Sequence, residues 1–123
     1  MKFEELCDAR YSLRKFDSRP VEAEKLQKVL EAGRKAPTAH NLQPQRFFVM
    51  QSEEALAKAD ACTACHFHPP VVIVAAYDPE IAWKREEDGK NHGEIDVTLA
   101  VSQMMLQAAE LGLGTTYVGM FNP

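Results

Sequence analysis

Glu94-Ile95-Asp96-Val97-Thr98-Leu99-Ala100-Val101-Ser102-Gln103-Met104-Met105-Leu106-Gln107-Ala108-Ala109-Glu110-Leu111 reads as one long helix, apolar on nearly every side. Ile95, Leu99, Ser102, Leu106 and Ala109 form one face, and Val97, Ala100, Val101, Met104, Met105, Ala108 and Leu111 cover most of the remainder. An ordinary surface helix carries a single apolar stripe, so this one belongs in a core or a subunit interface. In a chain of only 123 residues the interface is favoured. Gly112 and Gly114 stop the helix, and Thr115-Thr116-Tyr117-Val118 is expected to open a strand.

Upstream lies Val71-Val72-Ile73-Val74-Ala75-Ala76-Tyr77, a near-continuous apolar run that suggests a central strand covered on both faces. Asp78-Pro79 ends it, and the polar residues 80–93, with Trp83, read as a loop or irregular helix. Arg46-Phe47-Phe48-Val49-Met50 reads as another strand and Glu53 to Asp60 as a short helix. Pro20, Glu22 and Glu24 mark the start of a helix over 22–35. Its stripe is Leu26, Val29, Leu30 and Gly33, and Arg34 and Lys35 close the last turn. Phe3, Leu6 and Cys7 predict a short helix over 2–9. Mixed helices and strands over 1–123 imply one α+β domain.

Composition narrows the function. With 46% hydrophobic and 26% charged residues the chain is ordinary globular material. A net charge of −4 argues against a general nucleic-acid or membrane-surface binder. The first residues lack the apolar run of a signal peptide, and no run is long enough to span a bilayer. Three cysteines without an export signal read as reduced thiols of the cytoplasm.

Two polar stretches stand out. In Arg10-Tyr11-Ser12-Leu13-Arg14-Lys15-Phe16, the residues Arg10, Ser12 and Arg14 alternate, which places them on one side of an extended segment. Two guanidinium forks and a hydroxyl suit a phosphate monoester; a solvated basic loop between helices is the plainer alternative. Ala36-Pro37-Thr38-Ala39-His40-Asn41-Leu42-Gln43-Pro44 is an ordered, neutral loop. Its Thr38, Asn41 and Gln43 donate and accept hydrogen bonds, which fits the edge and face of a flat heteroaromatic ring. A plain helix-to-strand turn fits equally well.

These two stretches, together with Ala108-Ala109-Glu110-Leu111-Gly112-Leu113-Gly114-Thr115 and in this order, resemble the nitroreductase family of FMN-dependent oxidoreductases. The resemblance covers essentially the whole chain. It implies a three-layer α-β-α sandwich working as an intertwined homodimer, with FMN at the interface and NAD(P)H as co-substrate. By this likeness Arg10, Tyr11, Ser12 and Arg14 hold the phosphate end of the cofactor. Pro37, Thr38, Ala39 and Asn41 pack on the flavin from the second subunit with Gln43 nearby, and Val118 and Gly119 pass behind the ring. The implied reaction is hydride transfer from NAD(P)H through the flavin to a nitroaromatic, quinone or similar acceptor, with no side chain assigned as acid or base. A flavin-sequestering protein without turnover is the alternative.

Two departures accompany the likeness. Gln45 stands where the family usually has tryptophan, which leaves the packing under the loop open. Family members also continue past residue 123 with further basic phosphate contacts and a partner-wrapping extension, so weaker FMN binding and a weaker dimer are expected here.

Cys62-Thr63-Ala64-Cys65-His66 matches a haem-attachment pattern, but such haem is joined in exported compartments. With His68, four zinc ligands within seven residues would struggle to close a tetrahedron, so no metal is expected. The stretch reads as a loop into the 71–77 strand, with a thiol redox role for Cys62 and Cys65 as a remote alternative. His40 and His92 read as ordinary loop or surface residues.

Overall fold

The computed structural model describes residues 1–123. Seven elements follow in order: α1 (Phe3–Ala9), α2 (Ala23–Lys35), a short 3-10 turn (Ala39–Asn41), β1 (Gln45–Met50), α3 (Glu53–Ala61), β2 (Val72–Tyr77) and α4 (Gly93–Glu110). No helix is long and apolar enough to cross a membrane.

The helices form where their patterns predict. In α2 the buried positions are Val29 and Gly33, flanked by half-buried Leu26 and Leu30. Its last turn is held by Arg34, whose Nε donates to Glu31 at 2.8 Å. That guanidinium pulls the Glu31 carboxyl down to about 2. The α3 helix begins on Ser52, whose hydroxyl accepts from the Ala55 N–H and so satisfies one of the free amides of the first turn.

The α4 helix divides its faces between the core and the surface. Val97, Ala100, Met104 and Ala108 are buried within the chain. Val29, Met104 and Ala108 form the centre of the core, with Leu30, Phe47, Ile73, Leu111 and Leu113 packed around them. The opposite stripe stays uncovered: Ile95 is 42% and Leu99 47% exposed.

The strands depart from expectation. β1 and β2 form an antiparallel pair, with Phe48 opposite Val74 and Val49 opposite Ile73. β2 is therefore no central strand covered on both faces, because it pairs with β1 alone and Val74 and Ala75 are exposed. An apolar run reports what a strand can bury, not how many neighbours it has. No strand forms over Thr115–Val118 either. Only a single parallel bridge joins Thr115 to Ser12, with the Leu13 N–H donating to the Thr115 carbonyl at 2.8 Å. Residues 80–93 form a folded-back turn closed by a Lys84–Asn91 bridge and by the His92 N–H donating to the Trp83 carbonyl.

Two close approaches within the helices need glycine. A methyl at Gly33 would lie 2.5 Å from Met104 Sδ and 2.9 Å from Phe47 Cε2. A methyl at Gly93 would lie 2.1 Å from the Tyr77 ring. Gly93→Ala should therefore destabilise the fold by about 1–3 kcal/mol, the usual cost of overpacking. Urea unfolding checks this, and an unchanged midpoint would refute the contact.

Candidate functional site

The basic segment leaves α1 at Arg10 in extended backbone. Leu13 anchors it, with its side chain against Gly114, where a Cβ would lie 2.2 Å from Leu13 Cδ2. Phe16 is half-buried, as an anchor should be. Arg10, Tyr11 and Leu13 line a recess of about 310 Å³ with Ala9, Ala109 and residues 112–115. Ser12 and Arg14 lie on the same segment, exposed, but do not line that recess.

The electrostatics of this segment set it apart. Four of the six arginines have protein partners: Arg19 with Asp17, Arg34 with Glu31, Arg85 with Asp88, and Arg46 with the carbonyls of Gln43 and Gln45. Arg85 holds the Asp88 carboxyl down to about 2. Arg10 and Arg14 are the two whose guanidinium groups have no hydrogen bond or ion pair within the chain, although the chain as a whole is acidic.

The second stretch is built differently. Its backbone takes left-handed angles at His40 (φ 56°), Asn41 (φ 53°) and Gln43 (φ 55°). Each such non-glycine residue costs on the order of 1 kcal/mol or more, and strain of this kind persists only where the surroundings enforce it. Several bonds do so. The Asn41 N–H donates to the Thr38 carbonyl at 2.9 Å, and the Gln43 N–H to Thr38 Oγ1 at 3.1 Å. The Ala39 N–H donates to Asp96 Oδ1 at 3.0 Å. His40 stacks on Trp83 with centroids 5.0 Å apart, and His92 meets the same indole edge-on at 4.7 Å. His92 is thus a loop residue, as expected, but half-buried and packed against the indole. Asn41, Leu42 and Gln43 face outward, and Pro37 is exposed.

Gln45 settles the packing under the loop. It is buried, and its amide donates to the Gly33 carbonyl at 3.2 Å, tying the loop's exit to the end of α2. Val118 and Gly119 follow the bridged Thr115. Gly119 belongs to a segment whose Asn122 N–H donates to the Cys62 carbonyl at 2.8 Å, while Thr63 Oγ1 donates to the Met120 carbonyl. All three cysteines are free, and no group of three or more acidic, histidine or cysteine side chains gathers as a metal site.

One chain does not bring the two stretches together. The loop is pinned to Asp96 in the first turns of α4, and the Arg10 recess opens beyond its last turn. At 1.5 Å per residue, Asp96 and Ala109, the α4 residue that lines the recess, lie about 20 Å apart along the helix. Asp96 and Trp83 join the loop without a motif in the sequence to mark them. The one signal available for Asp96 was an acid inside an otherwise apolar helix.

Known proteins identify the family to which this fold belongs. The profile of the nitroreductase family matches residues 8–68 and 60–123. A crystal structure of a nitroreductase family protein from Clostridium difficile 630 superposes with a TM-score of 0.96 at 44% identity, covering 100% of this chain and 71% of that one. A nitroreductase-type chain from Desulfovibrio desulfuricans, solved in complex with FMN, has a TM-score of 0.81 at 27% identity, covering 95% of this chain and 67% of that one. An Archaeoglobus fulgidus relative, 29% identical over 121 residues, carries a provisional name as an NADH dehydrogenase/NAD(P)H nitroreductase, and the match covers 91% of this chain. The chain belongs to the nitroreductase family. It spans 64% of the length of the Archaeoglobus relative and 60% of a similar one from Methanothermobacter thermautotrophicus.

The His40–Trp83 stack gives the loop a built-in reporter, since Trp83 is the sole tryptophan. His40→Ala should shift Trp83 emission in the free protein while changing stability by no more than about 0.5 kcal/mol, as for other exposed positions. Steady-state fluorescence with a urea melt checks both, and unaltered emission would refute the stack.

Proposed function

We propose that residues 1–123 form one nitroreductase-like domain of an FMN-dependent NAD(P)H oxidoreductase of the cytoplasm. It would complete its three-layer α-β-α sandwich as an intertwined homodimer. The observation that carries this reading is the pair of partnerless arginines, Arg10 and Arg14, flanking Ser12. Two uncompensated guanidinium groups on an acidic protein call for an anion, and their forks match the oxygens of a phosphate monoester.

The ring end of the cofactor fits the neutral loop. Pro37, Thr38, Ala39, Asn41 and Gln43 offer apolar contact and uncharged hydrogen-bonding groups. A five-carbon ribityl tail is too short to run the length of α4 from this loop to the same chain's Arg10. The loop therefore serves the phosphate segment of a second copy. The uncovered stripe at Ile95 and Leu99 supplies an apolar surface for that association. Tyr11 lies beside the phosphate segment, and Val118 and Gly119 would present backbone groups at the back of the ring.

When bound, FMN supplies the hydride chemistry that links NAD(P)H to a nitroaromatic, quinone or similar acceptor. The protein's part is to bind, orient and shield. Arg10 and Arg14 hold the phosphate, Ser12 adds a neutral hydrogen bond, and the loop's donors face the ring where negative charge grows on reduction. No side chain here is required as an acid or base.

The chain purified from an expression host should be yellow and dimeric, and a colourless monomer that takes up no FMN would overturn the reading. Arg14→Ala should raise the Kd for FMN by roughly tenfold to a hundredfold, the worth of one charged hydrogen bond. Mixing Arg14→Ala subunits with Asn41→Ala subunits tests the shared site. If the loop acts across the interface, the mixed dimer regains one intact site and binds one FMN; no recovery would place both halves in one chain. NADH oxidation with menadione or a nitrofuran separates turnover from flavin sequestration.

A further inference from the structure

We infer that Asp96 is a positioning residue for the ring end of the site, acting through Ala39 and not by touching the ligand; this rests on the FMN reading above. The carboxylate is 2% exposed, and its Oδ1 accepts the Ala39 N–H at 3.0 Å. Its Oδ2 has no partner, and the Nε2 of His92, the residue just before α4, is also buried without one. No lysine, arginine or histidine forms an ion pair with Asp96. A buried acid with one hydrogen bond and an orphaned oxygen is unfavourable for folding by itself. An apolar residue would suit the core better, so what this position supplies is the acceptor for Ala39.

That acceptor matters because of what the loop must hold. Within residues 38–43 the other backbone bonds are local, running from Asn41 and Gln43 to Thr38 and from Leu42 to Ala39. These bonds shape the turn but do not fix it to the body of the protein. Arg46 of β1 holds the loop's exit at the Gln43 carbonyl, and two long-range ties hold its entry: the Ala39–Asp96 bond and the His40–Trp83 stack. Ala39 opens the 3-10 turn directly before the left-handed residues His40 and Asn41. Freed at Ala39, those residues can relax to right-handed angles and swing Asn41 and Gln43 away from the ring. Asp96 is rooted in α4, whose far side presents Ile95 and Leu99, so it also sets the loop's position relative to the interface.

The test compares Asp96→Ala with Asp96→Asn, whose amide oxygen can still accept from Ala39. Three measurements are made on each full-length variant: Trp83 emission in the free protein, FMN affinity, and binding of inorganic phosphate followed by phosphorus NMR. Asp96→Ala should shift Trp83 emission in the direction of His40→Ala and raise the FMN Kd roughly tenfold or more. Phosphate binding should not change, because Arg10 and Arg14 lie at the other end of α4. Asp96→Asn should restore both emission and FMN affinity to near wild type. Wild-type emission and FMN affinity in Asp96→Ala would overturn the inference. So would a loss of phosphate binding that parallels the loss of FMN, which would mark a general structural role. If Asp96→Ala fails to fold, Asp96→Asn decides: it supports the clamp by keeping wild-type emission and FMN affinity, and overturns it by losing either. A wild-type chain that takes up no FMN would overturn the functional reading, and the emission comparison would still decide separately whether Asp96 clamps the loop.

Discussion

The close contact of α2 with α4 at Gly33 is the constraint on which the molecule depends. With no side chain at that position, Met104 and Phe47 come in against the α2 backbone, and the core closes around Val29, Met104 and Ala108. The direction of α4 follows from that contact, and both candidate binding stretches are fastened to its ends. Leu13 and Thr115 fix the basic segment beyond the last turn, and Asp96 fixes the neutral loop in the first turns. A helix that serves as the core's main packing surface is thereby also the spacer that sets where each half of the site lies.

In the proposed dimer, ligand binding and association draw on the same free energy. A cofactor whose two ends rest on different copies stabilises the assembled state only, so its occupancy rises with protein concentration and the dimer tightens when it binds. Apolar Ile95 and Leu99 contribute whether or not ligand is present. The arginines contribute only when an anion sits between them, since two guanidinium groups without one repel each other.

The helices were legible because burial imposes a 3.6-residue period that the sequence displays directly. The α2 stripe and the acids Glu22 and Glu24 at that helix's start need no tertiary information. β2 and residues 115–118 depart from what their sequence pattern suggests for one reason. Apolar, β-branched residues record a fit to a half-buried surface, whereas pairing depends on neighbours brought from elsewhere in the chain. The site shows the same division. The arginines' type and spacing could be read from sequence, but their lack of partners could not, because four similar arginines find partners only on folding. The loop could be seen to be ordered from its two prolines. What orders it lay in Asp96, hidden in an apolar run, and in Trp83, lost in a polar one.

The left-handed backbone at His40, Asn41 and Gln43 narrows which sequences can occupy the loop over evolutionary time. Valine, isoleucine and threonine are effectively excluded at these three places, since branching at Cβ makes that conformation much costlier. Glycine would enter without steric penalty, yet it would loosen the free chain and blur the outline shown to a ligand. Drift here should therefore run among asparagine, aspartate, histidine and a few unbranched polar residues, leaving a narrow corridor of spelling in a region where surface loops ordinarily vary freely.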